Sequence, residues 1–251
     1  LLGQNVNAYG KDLTPPTDLA ALIELVNEVE GIERIRFTTS NPVNLTTRLI
    51  RALRNVPKAC EFLHLPLQSG SDRVLERMNR GYTRARYLEL IQELQETVPG
   101  LALSTDLIVG FPGESEQDFE ATVEMVEGVG YDSLFAFRYS PRPRTPAAEF
   151  PDQVPEADKA RRLSRLLEVA NAIQARKNGA LEGREMEILV DGVSKKDPRE
   201  LAGRTRCNRV VNFDGEGRRL YGRLVRVRIT QAMPHSLRGT LVPADAEALV
   251  S

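Results

Sequence analysis

LALSTDLIVGFPGESEQDFEATVEMVEGVG, residues 101–130, is the stretch whose reading decides the fold. Nine residues rich in apolar and β-branched types run into a Gly-Phe-Pro-Gly turn. Ser115 followed by Asp118 then opens an apolar-periodic run in the manner of a capping box. A strand, a glycine-punctuated loop and a capped helix make one βα unit, and such units in series build a parallel sheet. The same rhythm extends in both directions. Strands are expected at 1–4 (LLGQ), 35–39 (IRFTT), 61–67 (EFLHLPL) and 133–139 (SLFAFRY). Asp18 should cap a helix over 19–29, and Thr46 one running through Leu53. Residues 83–98 keep an apolar face at i, i+3 and i+4 until Pro99 and Gly100 stop the helix. The fold class read from this pattern is α/β, a partial parallel (βα) barrel.

The rhythm changes after residue 148. Residues 155–178 read as one helix with Leu163, Leu166, Leu167 and Val169 as its buried stripe, a brace or connector. From Arg184 the pattern is all β, with short strands in 185–193, 204–213, 218–230 and 238–242 and Asp214-Gly215 as a hairpin turn. So many short strands in so few residues predict a small OB-like β-barrel. The domains expected are therefore residues 1–182, barrel part plus connector, and residues 183–251, the small barrel.

Composition limits the classes of function. With 41% hydrophobic and 27% charged residues, the chain of 251 residues has ordinary globular usage, which excludes a disordered or fibrous protein. No apolar run approaches the roughly 18 residues that span a bilayer, and the N-terminal residues lack the order of a signal peptide, so a cytoplasmic location is expected. Cys60 and Cys207 fall in segments that read as separate domains, which argues against a disulfide framework, and two cysteines cannot complete a four-thiolate metal site. No metal ligand is therefore assigned in this chain. The formal net charge of −1 hides an asymmetry: residues 183–251 hold 13 Lys and Arg against 9 Asp and Glu. That basic end is where nucleic acid is expected. The opening LLGQNVNAYG starts without Met and inside an element, and the expectation drawn from it is a portion of a longer protein.

Ligands of a parallel βα barrel gather at the carboxyl ends of its strands. Those ends carry Gly3-Gln4-Asn5, Thr39-Ser40-Asn41, Gln68-Ser69-Gly70-Ser71, Asp106 with Gly110 to Glu114, and Tyr139-Ser140-Pro141-Arg142. Amides, hydroxyls and glycines of this kind suit a ligand with ribose, amino-acid and purine parts.

Four segments, LLGQNVNAYG (1–10), HLPLQSGSDRVLERMNRGY (64–82), STDLIVGFPGESEQDFEATVE (104–124) and YSPRPRTPAAEFPDQVPE (139–156), resemble the radical SAM methylthiotransferase family, most closely its tRNA branch. The last 65 residues or so resemble the TRAM domain, an RNA-binding barrel. The resemblance implies addition of a methylthio group to carbon 2 of an isopentenyl-adenosine beside the anticodon. An unactivated C–H bond yields to no ordinary side chain, so a cofactor carries that step. Implied with it are S-adenosyl-L-methionine, two 4Fe-4S clusters, tRNA as partner, and an electron donor such as flavodoxin or ferredoxin. The family's CxxxCxxC motif, which would hold one cluster, and the three cysteines of the second lie upstream of the matching segment, so neither ligand set is in this chain.

Carried over residue by residue, the resemblance places Gly3, Gln4 and Asn5 at the methionine amino group. It places Gln68 and Arg80 at the methionyl end, where Arg80 would pair with the carboxylate. Asp106 would accept from ribose hydroxyls, with Ile108 and Gly110 beside adenine. Ser40 and Ser69 complete the expected cofactor set. RNA contacts are expected from Arg142, Arg144, Arg223, Arg226 and Arg228. Each residue also has a plain reading. In that reading Gly110 serves only the loop, Asp106 a cap or salt bridge, Arg80 a helix terminus, and the barrel arginines a solvated face. His64, Cys60 and Cys207 are read as core residues. Two other functions stay open: methylthiolation of a ribosomal-protein aspartate, which the basic Arg142 to Arg144 stretch disfavours, and a non-catalytic RNA-binding module.

Overall fold

The strand of the deciding stretch, β2 (Ala102–Val109), is the middle of a three-stranded parallel sheet, flanked by β1 (Phe62–His64) and β3 (Ser133–Arg138). Its register pairs His64 with Ser104, Asp106 with Phe135 and Ile108 with Phe137. Side chains alternate along a strand, so His64, Asp106, Ile108, Phe135 and Phe137 share one face. That face is only partly covered, with Phe135 and Phe137 both 54% exposed. The computed structural model describes residues 1–3, 5–38, 40–195, 197–215 and 218–242. The chain divides into two compact units, Leu1–Ala170 and Asn171–Ser251.

Helices α1 (Leu19–Asn27), α2 (Thr47–Asn55), α3 (Asp72–Arg77), α4 (Arg84–Thr97) and α5 (Glu116–Val129) all begin on a side-chain cap. The expected caps form: Asp18 accepts from Ala21 N, Thr46 from Leu49 N, and Ser115 and Asp118 make a reciprocal capping box. Their apolar faces, including Leu49, Ile50, Val74, Tyr87, Leu90 and Phe119, are buried with Leu63, Leu65 and Leu67 of the β1 segment. Gly70 passes so close to α5 that a Cβ there would lie 2.3 Å from the Ala121 carbonyl oxygen. Only a residue without a side chain fits.

Two expected strands differ. Among the described residues, 35–39 contributes one parallel bridge, Ile35 to Ala59, and Leu1 donates its amino group to Arg36 O at 2.6 Å and accepts from Thr38 N at 3.4 Å. One or two ladder bonds do not propagate a pleat. The connector appears as α6 (Glu156–Gly179). Of the expected stripe only Leu166 is fully buried; Leu163 and Val169 are half-buried, Leu167 is 37% exposed, and Lys159 and Arg162 are buried in the same helix. The stripe is wrong at Leu167 because a buried carboxylate, Glu114, takes Arg162 inward.

The second unit closes β4 (Glu185–Val193), β5 (Glu200–Thr205), β6 (Val210–Asp214), β7 (Leu224–Ala232) and β8 (Leu237–Leu241) into a barrel of order β4-β5-β6-β8-β7. Alternating Ile188, Val190, Leu201, Val211, Phe213, Val227 and Leu237 fill it. The small all-β barrel is as expected, but Asp214-Gly215 does not turn a hairpin. β6 pairs with β5 and, in parallel, with β8, and the next strand along the chain, β7, is not its neighbour in the barrel. Glu216 and Gly217 of that expected turn lie outside the described residues. A local Asp-Gly signal reports a turn; it does not report which strands pair after it.

Candidate functional site

Four of the expected residues, Ser40, Gln68, Arg80 and Asp106, line one small cavity of about 150 Å³ at the carboxyl end of the sheet, with Pro66 and Tyr82. Backbone geometry explains their convergence. Gln68 sits at φ 70°, and its backbone bonds with Asp106 O and Ile108 N extend the β1 edge beside β2. Asn7 exchanges amide bonds with the backbone of Asn41 at 2.8 and 2.9 Å, which fixes the segment carrying Ser40. Among the described residues, Ser40 Oγ and Arg80 Nε of this lining, and Asn5 Oδ1 outside it, are buried with no hydrogen-bond partner. A buried polar atom without a partner costs about 1–3 kcal/mol, so this cradle is arranged for polar groups it does not itself supply. Burial pushes the Tyr82 hydroxyl up to about 12 despite Arg80, so it stays a neutral donor to the Pro66 and Leu67 carbonyls.

His64, read as a core residue, is drawn into this region. Its Nε2 lies 3.3 Å from Asp106 Oδ2, its Nδ1 lies 2.8 Å from Ser104 Oγ, and its ring meets Phe135 edge-on. The register that aligns His64 with β2 is a tertiary fact, and only the strand parity hinted at it.

The other expected cofactor residues are placed differently. Gly3 is exposed and Gln4 lies outside the described residues, as does Thr39 of the neighbouring strand end. Ser69 is fully buried and turned to Thr122 Oγ1 and Ser71 N. Ile108 lines a second, larger cavity of about 610 Å³, which shares Arg80 with the cradle. Gly110, at φ +71°, has Lys159 Cγ where a Cβ would stand, 2.3 Å away, so any side chain would displace α6. Arg142 lines the larger cavity; Arg144 is exposed, at φ 68°.

The loop after β2 is held from two sides. Glu114 accepts from Gly110 N and Arg162 Nη1, both at 2.7 Å, and burial raises its carboxyl above the ordinary value against those two donors. Burial likewise opposes ionisation of Asp118, but bonds from Arg73, Ser115 and Ser71 outweigh it and hold that carboxyl well below the usual range. The loop's Phe111 is thereby fixed edge-on to Tyr139 at 5.2 Å and to Phe150 at 6.4 Å.

In the second unit Arg226 and Arg228 alternate with buried Val225, Val227 and Ile229, so they share the outer face of β7. They stand opposite Glu187 and Glu185 in the register, and Arg228 Nη2 donates to Glu185 at 2.7 Å. Arg223 is exposed just before the strand. The stripe is therefore of mixed charge. Of the other barrel arginines, the side chain of Arg218 lies outside the described residues.

A parallel half-barrel with polar strand ends, joined in one chain to a closed five-stranded barrel, defines a class. Residues 3–126 match the radical SAM superfamily and residues 179–242 match the TRAM domain. It is 52% identical over 242 residues to a tRNA-2-methylthio-N(6)-dimethylallyladenosine synthase of Moorella thermoacetica, covering 96% of this chain and 54% of that protein. A protein of the same description from Thermoanaerobacter sp. (strain X514) is 48% identical over 96% of this chain and 51% of its own length. The chain thus spans about half the length of the curated relatives it matches. In fold alone it resembles the coproporphyrinogen III oxidase HemN of Escherichia coli, a radical SAM enzyme, with TM-score 0.51 and 15% identity over 75% of this chain and 50% of that one. Among the described residues no helix is long and apolar enough to cross a membrane.

The cysteines do not fit a four-thiolate cluster. Cys60 is buried in the first unit, Cys207 belongs to the second, and among the described residues no three of His, Cys, Asp and Glu group as a metal site. After anaerobic iron–sulfur reconstitution this polypeptide should hold no stoichiometric iron and show no cluster absorption. Four irons per chain would refute that.

Proposed function

We propose that this chain is the cofactor- and RNA-binding portion of a cytoplasmic tRNA methylthiotransferase, acting on carbon 2 of a dimethylallyl-adenosine beside the anticodon. The observation that carries the reading is 52% identity, sustained over 96% of the chain, to enzymes so described. Residues 1–182 carry the cofactor part in this reading and residues 183–251 the RNA-binding barrel. tRNA is the partner, and a flavodoxin- or ferredoxin-type protein donates electrons.

Bound S-adenosylmethionine would supply the radical chemistry that an unactivated C–H bond requires and the methyl group of the product. The chain's own residues bind and orient. Arg80 offers its guanidinium to the methionyl carboxylate, and Ser40, Asn5 and Gln68 offer hydrogen bonds to its polar end. Asp106, steadied by His64 Nε2, accepts from the ribose hydroxyls. Ile108 lines the adjoining cavity. The unpartnered Ser40 Oγ and Arg80 Nε of the cavity lining support this assignment. On the outer barrel face Arg223, Arg226 and Arg228 meet phosphate, with Arg142 and Arg144 at the first unit, where positive charge binds RNA without reading sequence.

The test is nucleoside mass spectrometry of tRNA from the source cells before and after deletion of the gene encoding this chain. The methylthio nucleoside should disappear and its dimethylallyl-adenosine precursor accumulate. An unchanged tRNA profile beside a lost modification on a ribosomal protein would replace this reading with the protein-substrate one.

A further inference from the structure

The β1 edge departs from a regular ladder just before it reaches the cradle. His64 pairs with Ser104 and Gln68 with Leu107, so between those pairs the edge carries one residue more than β2, a β-bulge. The ladder bonds on either side are ordinary: Leu65 N donates to Ser104 O and Gln68 N to Asp106 O, both at 2.8 Å. Between them Pro66 has no N–H to give, and Leu67 N donates to a side chain, Thr105 Oγ1, at 2.9 Å. The carbonyls are met the same way. Leu65 O accepts from the Tyr87 hydroxyl at 2.8 Å, and Pro66 O and Leu67 O accept from the Tyr82 hydroxyl at 3.2 and 3.1 Å. Tyr131 donates in turn to the Tyr87 hydroxyl at 3.0 Å. Leu65, Leu67, Tyr87 and Thr105 are all fully buried, so without these side chains the backbone groups would be stranded away from water. Burial raises the Tyr87 and Tyr131 hydroxyls above their ordinary value, which keeps both as neutral donors.

The bulge decides where Gln68 points. Leu107 is fully buried on the side of β2 opposite Asp106, and a regularly pleated residue beside it would point the same way. Gln68 instead lines the cradle with Asp106, and it does so at φ 70°, in the left-handed region that a side chain disfavours. Such a conformation persists only where the surroundings fix it from several sides. We propose that Thr105 and Tyr87, the latter backed by Tyr131, are positioning residues for the cofactor: they hold the bulge at which Gln68 turns its amide into the cradle. None of the three lines that cavity. The inference rests on the cofactor reading above and deepens it, because it extends the binding apparatus to three hydroxyls buried outside the site.

The experiment is a mutant cycle on this chain, read by calorimetric titration with S-adenosylmethionine well below each variant's melting temperature, with a thermal melt beside each titration. Gln68→Gly removes the amide and keeps the positive φ at no steric cost. Thr105→Val removes the acceptor of Leu67 N and keeps the shape, whereas Thr105→Ser keeps the acceptor. Gln68→Gly and Thr105→Val should each weaken binding by roughly 3- to 10-fold, the worth of one neutral hydrogen bond. Thr105→Ser should stay within about twofold of the parent, and the double variant should bind no more weakly than Gln68→Gly alone. Tyr87→Phe should repeat the pattern of Thr105→Val, and it carries the test if Thr105→Val does not fold. A Thr105→Val chain that melts lower but binds as the parent does, or losses that add in the double variant, would make Thr105 a core residue only and overturn the inference. Unchanged binding in Gln68→Gly would overturn the cofactor placement of Gln68 itself, and the positioning role would fall with it.

Discussion

Replacing Arg162 with Met should destabilise the first unit by about 3–5 kcal/mol, the usual cost of stranding one partner of a buried ion pair. The Glu114 side chain is completely inaccessible, and Arg162 is the cation that faces it, from α6. Arg162 also donates to the Glu114 carbonyl at 3.1 Å and to Glu116 at 3.2 Å, so its loss empties several bonds at once. The double variant with Glu114→Gln should recover much of the deficit, since no buried charge is then left alone. The sign of the pH dependence follows from the carboxyl. Burial already raises Glu114 above 4.5, and removal of Arg162 raises it further. A carboxyl raised in the folded state binds its proton more tightly there than in the unfolded chain. Its contribution is therefore fully present below 4.5 and is lost as pH rises through the folded value. The deficit of Arg162→Met should be smaller near pH 5 than near pH 8 by thermal melts. A deficit below about 1 kcal/mol, or one that does not change with pH, would show that the pair is not what anchors the loop.

That pair marks the line between what the sequence makes legible and what it does not. Everything carried by a short window is readable: Ser115 and Asp118 as a capping box, Asp18 and Thr46 as caps, β2 as an apolar strand, the alternation that puts Arg226 and Arg228 on one face. Arg162 belongs to a helix whose pattern promises a leucine stripe, and nothing within that helix announces a carboxylate 48 positions earlier. His64 looks apolar in its setting between Leu63 and Leu65, because its partner Asp106 is brought to it by the register of a parallel pair. The crossing after Asp214 is invisible for the same reason: turn chemistry is local, and strand order is not. The cradle is half legible. Strand ends can be listed from the sequence, but that Ser69 turns to Thr122 while Ser40 faces a cavity is decided by packing.

The second large effect concerns the cradle. Arg80→Ala should weaken S-adenosylmethionine binding to this chain by roughly 10- to 100-fold, the loss of charge-assisted bonds to a carboxylate worth about 1.5–3 kcal/mol. Arg80→Lys should fall between, because an ammonium keeps the charge and loses the planar fork. Calorimetric titration with S-adenosylmethionine reads the constant directly and needs no cluster. Cofactor affinity within twofold of the parent in Arg80→Ala would remove the carboxylate from Arg80. The unpartnered Ser40 Oγ would then be the better anchor for the methionyl end, and Ser40→Ala the variant expected to loosen it.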